Sequence, residues 1–198
     1  MFGLILAWAA VVIVSATAAG LLLLRDWRWE LGLLTAQYVG VTILVAQHWP
    51  IGMAAAKLVT GWMTTAALAM TLTALPAEEH PPEGLWQQSR IFRLFLVGMI
   101  LVLAAAATPR LQEAIAGIGA PVVAGSVILI GLGLLQLGTS SEVLHIVLAL
   151  LTVLAGFEAL YAALESSILV AALLAVVNLG LGLVGAYLLN ALAPEAAP

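Results

Sequence analysis

The chain of 198 residues is 64% hydrophobic and only 8% charged, and its formal net charge is −4. Soluble globular domains carry about 25% charged residues, so this composition excludes a water-soluble domain of ordinary size. The chain contains no cysteine, which excludes disulfides, thiol nucleophiles and cysteine-ligated clusters, and its six Lys and Arg residues are too few for a nucleic-acid-binding surface.

Long apolar runs predict an all-α, polytopic transmembrane helix bundle. A helix needs about 20 apolar residues to cross the hydrocarbon layer, and the runs lack the alternation of barrel strands. Charged residues, prolines and glycines divide them into about seven spanning helices, which form a single transmembrane domain over residues 1–198. In chain order the predicted spans are Gly3–Leu24, Leu31–Gln47, Ile51–Leu75, Ile91–Thr108, Pro121–Leu137, Val143–Leu164 and Ile168–Leu189.

Two connecting segments contain enough polar residues to suggest structure of their own. The segment Glu78–Glu83 contains Pro81 and Pro82, so it is predicted to be a stiff polar turn rather than a metal site. The stretch Pro109–Gly119 mixes charged and aliphatic residues, which predicts a short helix lying in the outer membrane interface.

The arginines predict the orientation of the bundle, because short cytoplasmic loops are enriched in Lys and Arg. Arg25, Arg28, Arg90 and Arg93 fall on one side of the membrane, and Arg110 falls on the other. The N-terminus is therefore predicted outside and the C-terminus in the cytoplasm.

Lys57 and Glu158 are the ionisable residues that the spans place well below the membrane surface. An unpaired charge at mid-membrane costs roughly 2.5–3.5 kcal/mol on insertion scales. Both residues lie about 9 Å inside the outer edge, at 1.5 Å per residue, and are thus at matching depth. Two interpretations remain open: a proton relay, or a static arrangement in which the two pair or the lysine extends toward the headgroups.

Three further polar residues are candidates for a proton path. Asn178 lies near the centre of the seventh span on a small-residue face, which favours close helix packing over a role in transport. Gln37 and His145 are predicted a few residues inside the cytoplasmic edge. His145 is either a proton-binding switch or an interfacial histidine with a backbone partner, and it lies roughly 140° around the helix from Glu158.

Short motifs give the chain a family resemblance. Ala36-Gln37-Tyr38, Ala56-Lys57-Leu58-Val59 and Gly156-Phe157-Glu158 resemble the polar start of the second helix, the intramembrane lysine and the glycine-glutamate pair of hydrogenase-4 component E. Four N-terminal helices, over residues 1–118, are followed by three C-terminal helices, over residues 119–198. These last three helices are similar to the small chain-K subunit of respiratory complex I and the C-type subunit of multisubunit cation/proton antiporters. Asn178 falls where that family often has a second carboxylate.

The resemblance implies a membrane subunit of a complex-I-like hydrogenase, dehydrogenase or antiporter assembly in a prokaryotic inner membrane. Its partners would be other membrane subunits, including a large antiporter-like chain. Protons would move through Lys57 and Glu158, with Asn178, Gln37 and His145 along the path. The subunit would have no cofactor, no metal and no catalytic site of its own.

Two other functions are compatible with the same residues. The first is a structural or assembly subunit whose Lys57–Glu158 pair is static and has no transport role. The second is an independent small-solute transporter, although the sequence shows no clear inverted repeat and no pair of broken half-helices.

Overall fold

The computed structural model describes residues 2–75, 90–115 and 117–192, and within these residues the chain forms seven α-helices. Their order agrees with the predicted all-α architecture. The helices are α1 (Phe2–Leu23), α2 (Trp27–Val45), α3 (Ile51–Ala74), α4 (Arg90–Ala114), α5 (Ala120–Thr139), α6 (Val143–Leu164) and α7 (Ile168–Ala191).

Five of these seven helices in the described part of the chain are long and apolar enough to cross a membrane: α1, α4, α5, α6 and α7. The other two are less apolar, because α2 carries Arg28, Glu30 and Gln37 and α3 carries Lys57 and five threonines. Several membrane-spanning helices are therefore supported by length and composition, while the predicted count of about seven spans stays a prediction.

Helix α2 packs against α1, α3 and α6, and α6 packs against α5, α7 and α2. The helices run alternately up and down, so the connections gather at two ends. At the Arg25 end, the Arg25 guanidinium lies 3.4 Å from the Glu142 carboxylate. At the Trp49 end, the Trp49 indole N–H donates to the Glu165 carbonyl oxygen at 2.9 Å. The two ends of the bundle are therefore called the Arg25 end and the Trp49 end.

Glycines allow α5 and α6 to approach closely. A Cβ at Gly156 would lie 2.9 Å from the Ser126 carbonyl oxygen, and one at Gly133 would lie 3.0 Å from the Ala149 carbonyl oxygen. Small residues at such positions let helix backbones pack directly against each other, which is the main source of helix association in lipid.

The structure moves the beginning of α2 from the predicted Leu31 to Trp27. The Asp26 side chain accepts a hydrogen bond from the Arg28 backbone N–H at 3.0 Å, which caps the helix one turn earlier. Gln37 therefore lies ten residues into α2, about 15 Å from its start, instead of six residues from a start at Leu31, while its predicted distance from the membrane edge stays a prediction.

The prediction of a separate short interfacial helix over Pro109–Gly119 is also wrong. Helix α4 continues through Pro109 to Ala114. Proline removes one backbone donor, a loss that membrane helices tolerate. The neighbouring Thr108 hydroxyl donates to the Ala104 carbonyl oxygen at 2.7 Å within the same helix. The turn predicted over Glu78–Glu83 lies outside the described residues.

Adding one methyl group at the α5–α6 contact tests this packing. We expect Gly156→Ala to lower the free energy of unfolding by about 1–3 kcal/mol, because the methyl group meets backbone that cannot move aside easily. Gly180→Ala on α7 is the matched control, since a Cβ there meets nothing within 4 Å. Reversible unfolding in mixed detergent micelles measures both, and equal stability of the two variants would contradict the close approach.

Candidate functional site

Lys57 of α3 and Glu158 of α6 form a buried ion pair between the Lys57 amine and the Glu158 carboxylate. Their side chains are 6% and 3% exposed, so neither charge reaches the surface of the bundle. Counting residues along the spans predicted that Lys57 and Glu158 lie at the same depth, and in the structure they contact each other directly. The alternative in which Lys57 extends to the headgroups does not fit this position.

Tyr38 of α2 completes the surroundings of the Lys57 amine. The amine lies 5.0 Å from the centroid of the Tyr38 ring, which is within the range of a cation–π interaction. Gly61 of α3 contacts the face of this ring, where any side chain would overlap it. The absence of a side chain at Gly61 therefore lets α2 and α3 bring the tyrosine and the lysine together.

Asn178 of α7 joins this group through hydrogen bonds. The Tyr38 hydroxyl donates to Asn178 Oδ1 at 2.9 Å, and Asn178 Nδ2 lies 3.5 Å from the Thr64 hydroxyl oxygen on α3. Gly182, one turn further along α7, packs against the Thr64 side chain. The predicted small-residue packing face is confirmed, and the asparagine within it binds α2 and α3 directly.

Gln37 of α2 forms a second buried contact, with Thr152 of α6. The Gln37 amide nitrogen donates to the Thr152 hydroxyl at 3.2 Å. Its oxygen Oε1 has no hydrogen-bond partner among the described residues. Gln37 precedes Tyr38 in the chain, so this contact lies beside the Lys57–Glu158 group.

His145 lies at the Arg25 end between two carboxylates. Its Nε2 is 2.8 Å from Glu30 Oε1 on α2, and its Nδ1 is 2.9 Å from Glu142 Oε2. Glu142 also contacts Arg25 at 3.4 Å. The alternative in which His145 has a backbone partner is wrong, because its Nε2 contacts the Glu30 carboxylate and its Nδ1, although close to Glu142, has no hydrogen-bond partner among the described residues.

Glu30 is not among the candidates that the sequence provides, because it falls in a charged segment between two predicted spans. One sequence signal does point to it. Glu30 and Gln37 are seven residues apart on α2, and their partners His145 and Thr152 are seven residues apart on α6. A spacing of seven keeps two residues on nearly the same helix face.

Together these contacts form a line of polar groups along the bundle, here called the polar line, and all of them except Glu142 are buried. It begins at Glu142, His145 and Glu30, continues through Gln37 and Thr152 and then Tyr38, Asn178 and Thr64, and ends at Lys57 and Glu158. From His145 to Glu158 it spans 13 residues of α6, about 20 Å of the roughly 30 Å hydrocarbon core. His145 and Glu158 lie on different sides of α6, and both are buried because α2, α5 and α7 surround that helix.

The polar line contains an apolar step. Leu34 of α2 and Leu148 of α6 lie between the Glu30–His145 contact and the Gln37–Thr152 contact, and both are fully buried. Two helical turns, or about 10 Å, separate the polar contacts on either side. Groups on the two sides of this step do not reach each other directly.

The chemistry of the polar line is that of proton-binding groups. It contains carboxylates, an imidazole, an amine and a phenol, each of which gains or releases a proton. Within the described residues no group of three His, Asp or Glu side chains is arranged to hold a metal ion.

The Tyr38–Asn178 hydrogen bond is expected to stabilise the site. We expect Tyr38→Phe to lower the free energy of unfolding by about 1–3 kcal/mol, since it leaves a buried amide oxygen without its donor. Tyr187→Phe makes the same chemical change at a ring that is 71% exposed, and its effect should stay within about 0.5 kcal/mol. Detergent unfolding of both variants is the measurement, and a Tyr38→Phe variant as stable as the parent protein would contradict the hydrogen bond.

Comparison of the chain with protein-family models, with curated proteins and with solved structures gave no match.

Proposed function

We propose that this chain is a membrane subunit of a complex-I-like hydrogenase, dehydrogenase or antiporter assembly, in which the polar line helps to move protons through the membrane. The observation that carries the proposal is the buried Lys57–Glu158 pair, set at one end of a line of proton-binding groups. Ionisable groups inside a membrane are costly, and they mark ion and proton pathways.

The proposed proton path has two sections, the polar groups near Lys57 and Glu158 and the apolar step at Leu34 and Leu148. Toward the Lys57–Glu158 end, the Gln37–Thr152 contact, the Tyr38–Asn178 contact and the ion pair lie near one another without hydrogen bonds between them, so the proposed transfer there also uses bridging water. At the step formed by Leu34 and Leu148, transfer over about 10 Å needs a short chain of water molecules between the leucines. Hydration of this step is a natural point of control, because water enters an apolar constriction only when it widens.

The proposed setting follows from the arginines and from the resemblance to hydrogenase-4 component E. The Arg25 end faces the cytoplasm, all seven helices span a prokaryotic inner membrane, and the N-terminus lies outside. Other membrane subunits, including a large antiporter-like chain, surround the bundle. Those partners supply the redox or ion-gradient energy, and this chain contributes no cofactor.

A structural role is the second candidate, and the ion pair itself favours it. Lys57 and Glu158 already contact each other, and Tyr38 covers the amine. Such a pair can fix the packing of α3 against α2 and α6 without moving protons. Removing one partner of a buried pair costs about 3–5 kcal/mol, so both functions predict that the pair matters for assembly.

Replacement of the carboxylate separates transport from packing. We expect Glu158→Gln in the assembled complex to lower proton pumping by at least about tenfold, because the amide occupies the same space but cannot take up and release a proton as a carboxylate does. Pumping is measured in inverted vesicles with a pH-sensitive dye and normalised to the amount of assembled complex.

Glu165→Gln is the matched control, since Glu165 is exposed at the Trp49 end of the same helix. If Glu158→Gln prevents assembly, the double variant Lys57→Met with Glu158→Gln leaves no unpaired buried charge and is measured instead. Normal pumping by a correctly assembled complex that lacks the Glu158 carboxylate would overturn the proposed transport role.

A further inference from the structure

We propose that Glu30, His145 and Glu142 form the site at which protons enter the polar line from water at the Arg25 end. This inference rests on the proposed transport function and adds the position and the residues of the entrance. Glu30 and Glu142 have no role in the path inferred from the sequence.

A cavity of about 620 Å³ lies beside these residues. It is formed by the Arg25 ends of α2, α3, α6 and α7, and Glu30, Glu142 and His145 all lie on its wall. At roughly 30 Å³ for each water molecule, it has room for about 20 of them. The rest of its wall includes Trp27, Leu72 and Leu189, so polar groups are concentrated where the three residues meet.

Burial increases from one member of the cluster to the next. The Glu142 side chain is 42% exposed, the His145 side chain is 5% exposed and the Glu30 side chain is 1% exposed. His145 therefore stands between a carboxylate in contact with water and a carboxylate inside the bundle. The second oxygen of Glu30, Oε2, is buried without a hydrogen-bond partner among the described residues, so it is available to pass a proton onward.

One proton can cross the imidazole ring once Nδ1, which lies 2.9 Å from Glu142 Oε2 without a hydrogen bond to it, turns to align with that oxygen. A proton from Glu142 binds to His145 Nδ1, and the ring releases its Nε2 proton to Glu30 Oε1. One O–H bond and one N–H bond break, one N–H bond and one O–H bond form, and no electrons are transferred. The ring then carries its proton on Nδ1, and reverse transfer through the same groups restores the first tautomer.

The charges that face His145 come from several elements. Glu30 is on α2, Glu142 precedes α6, and Arg25 contacts Glu142 from the α1–α2 connection. Arg28 lines the cavity, and Arg93 of α4 and His145 both border a narrow gap that has no room for water. The described residues of α3 and α7 at the cavity contribute only leucines and Thr73.

Hydrogen exchange at the His145 ring tests the entrance without any measurement of transport. The full chain with His48→Gln and His80→Gln keeps His145 as its single histidine. The ring nitrogens of this variant are labelled with ¹⁵N-histidine, the protein is placed in nanodiscs, and the exchange rate of the ring protons is measured after transfer to D₂O. Because the chain has no cysteine, Leu189→Cys can carry a bulky water-soluble maleimide into the cavity. We expect this modification to slow exchange by about tenfold or more.

Asn190→Cys is the matched control, since the next residue along α7 is exposed and does not line the cavity. Its modification should leave the exchange rate unchanged. The proposal is overturned if Leu189→Cys does not react with the maleimide, or if exchange at His145 is equally fast before and after modification.

A second measurement places the site on the transport path. In the assembled complex, His145→Ala should lower pumping by about tenfold or more, and added imidazole should restore it by diffusing into the cavity. His48→Ala, at the Trp49 end, should pump normally. Loss of pumping in Glu158→Gln with full pumping in His145→Ala would reject the entrance alone, whereas normal pumping in both variants would reject the transport function itself.

Discussion

Two oppositely charged side chains, Lys57 and Glu158, meet inside an apolar bundle, and neither charge can be buried alone without a large free-energy cost. This requirement fixes much of the surrounding structure. The amine and the carboxylate must lie at the same depth, and Gly61 must stay small so that Tyr38 can cover the amine. The Tyr38 hydroxyl then needs its own acceptor, which Asn178 of α7 provides.

The same two helices, α2 and α6, extend this polar region toward the Arg25 end. Glu30 and Gln37 on α2 face His145 and Thr152 on α6, with Leu34 and Leu148 between them. The arrangement resembles two proton-binding stations separated by an apolar step of about 10 Å. Under the proposed transport function, a resting state with this step closed prevents a proton leak, and a transporting state hydrates the step.

Much of the fold could be predicted from the sequence, because breaks such as Pro50 and Gly119 end long apolar runs. The beginning of α2 could not, because the Asp26 cap turns an apparent loop into helix. The depths of Lys57 and Glu158 follow from counting residues, but their contact depends on how each helix is rotated about its axis. That rotation is set by packing between residues far apart in the chain, as is the pairing of Glu30 with His145.

Exchange of the two charges tests the central claim most directly. In the double variant Lys57→Glu with Glu158→Lys, the attraction is retained, so the bundle should assemble, while the proton-binding carboxylate leaves α6 and the amine leaves the Tyr38 ring. The account predicts normal assembly, measured by copurification of the partner subunits, with proton pumping lowered by about tenfold or more. Full pumping by the exchanged pair would contradict it and would identify Lys57 and Glu158 as a static structural pair.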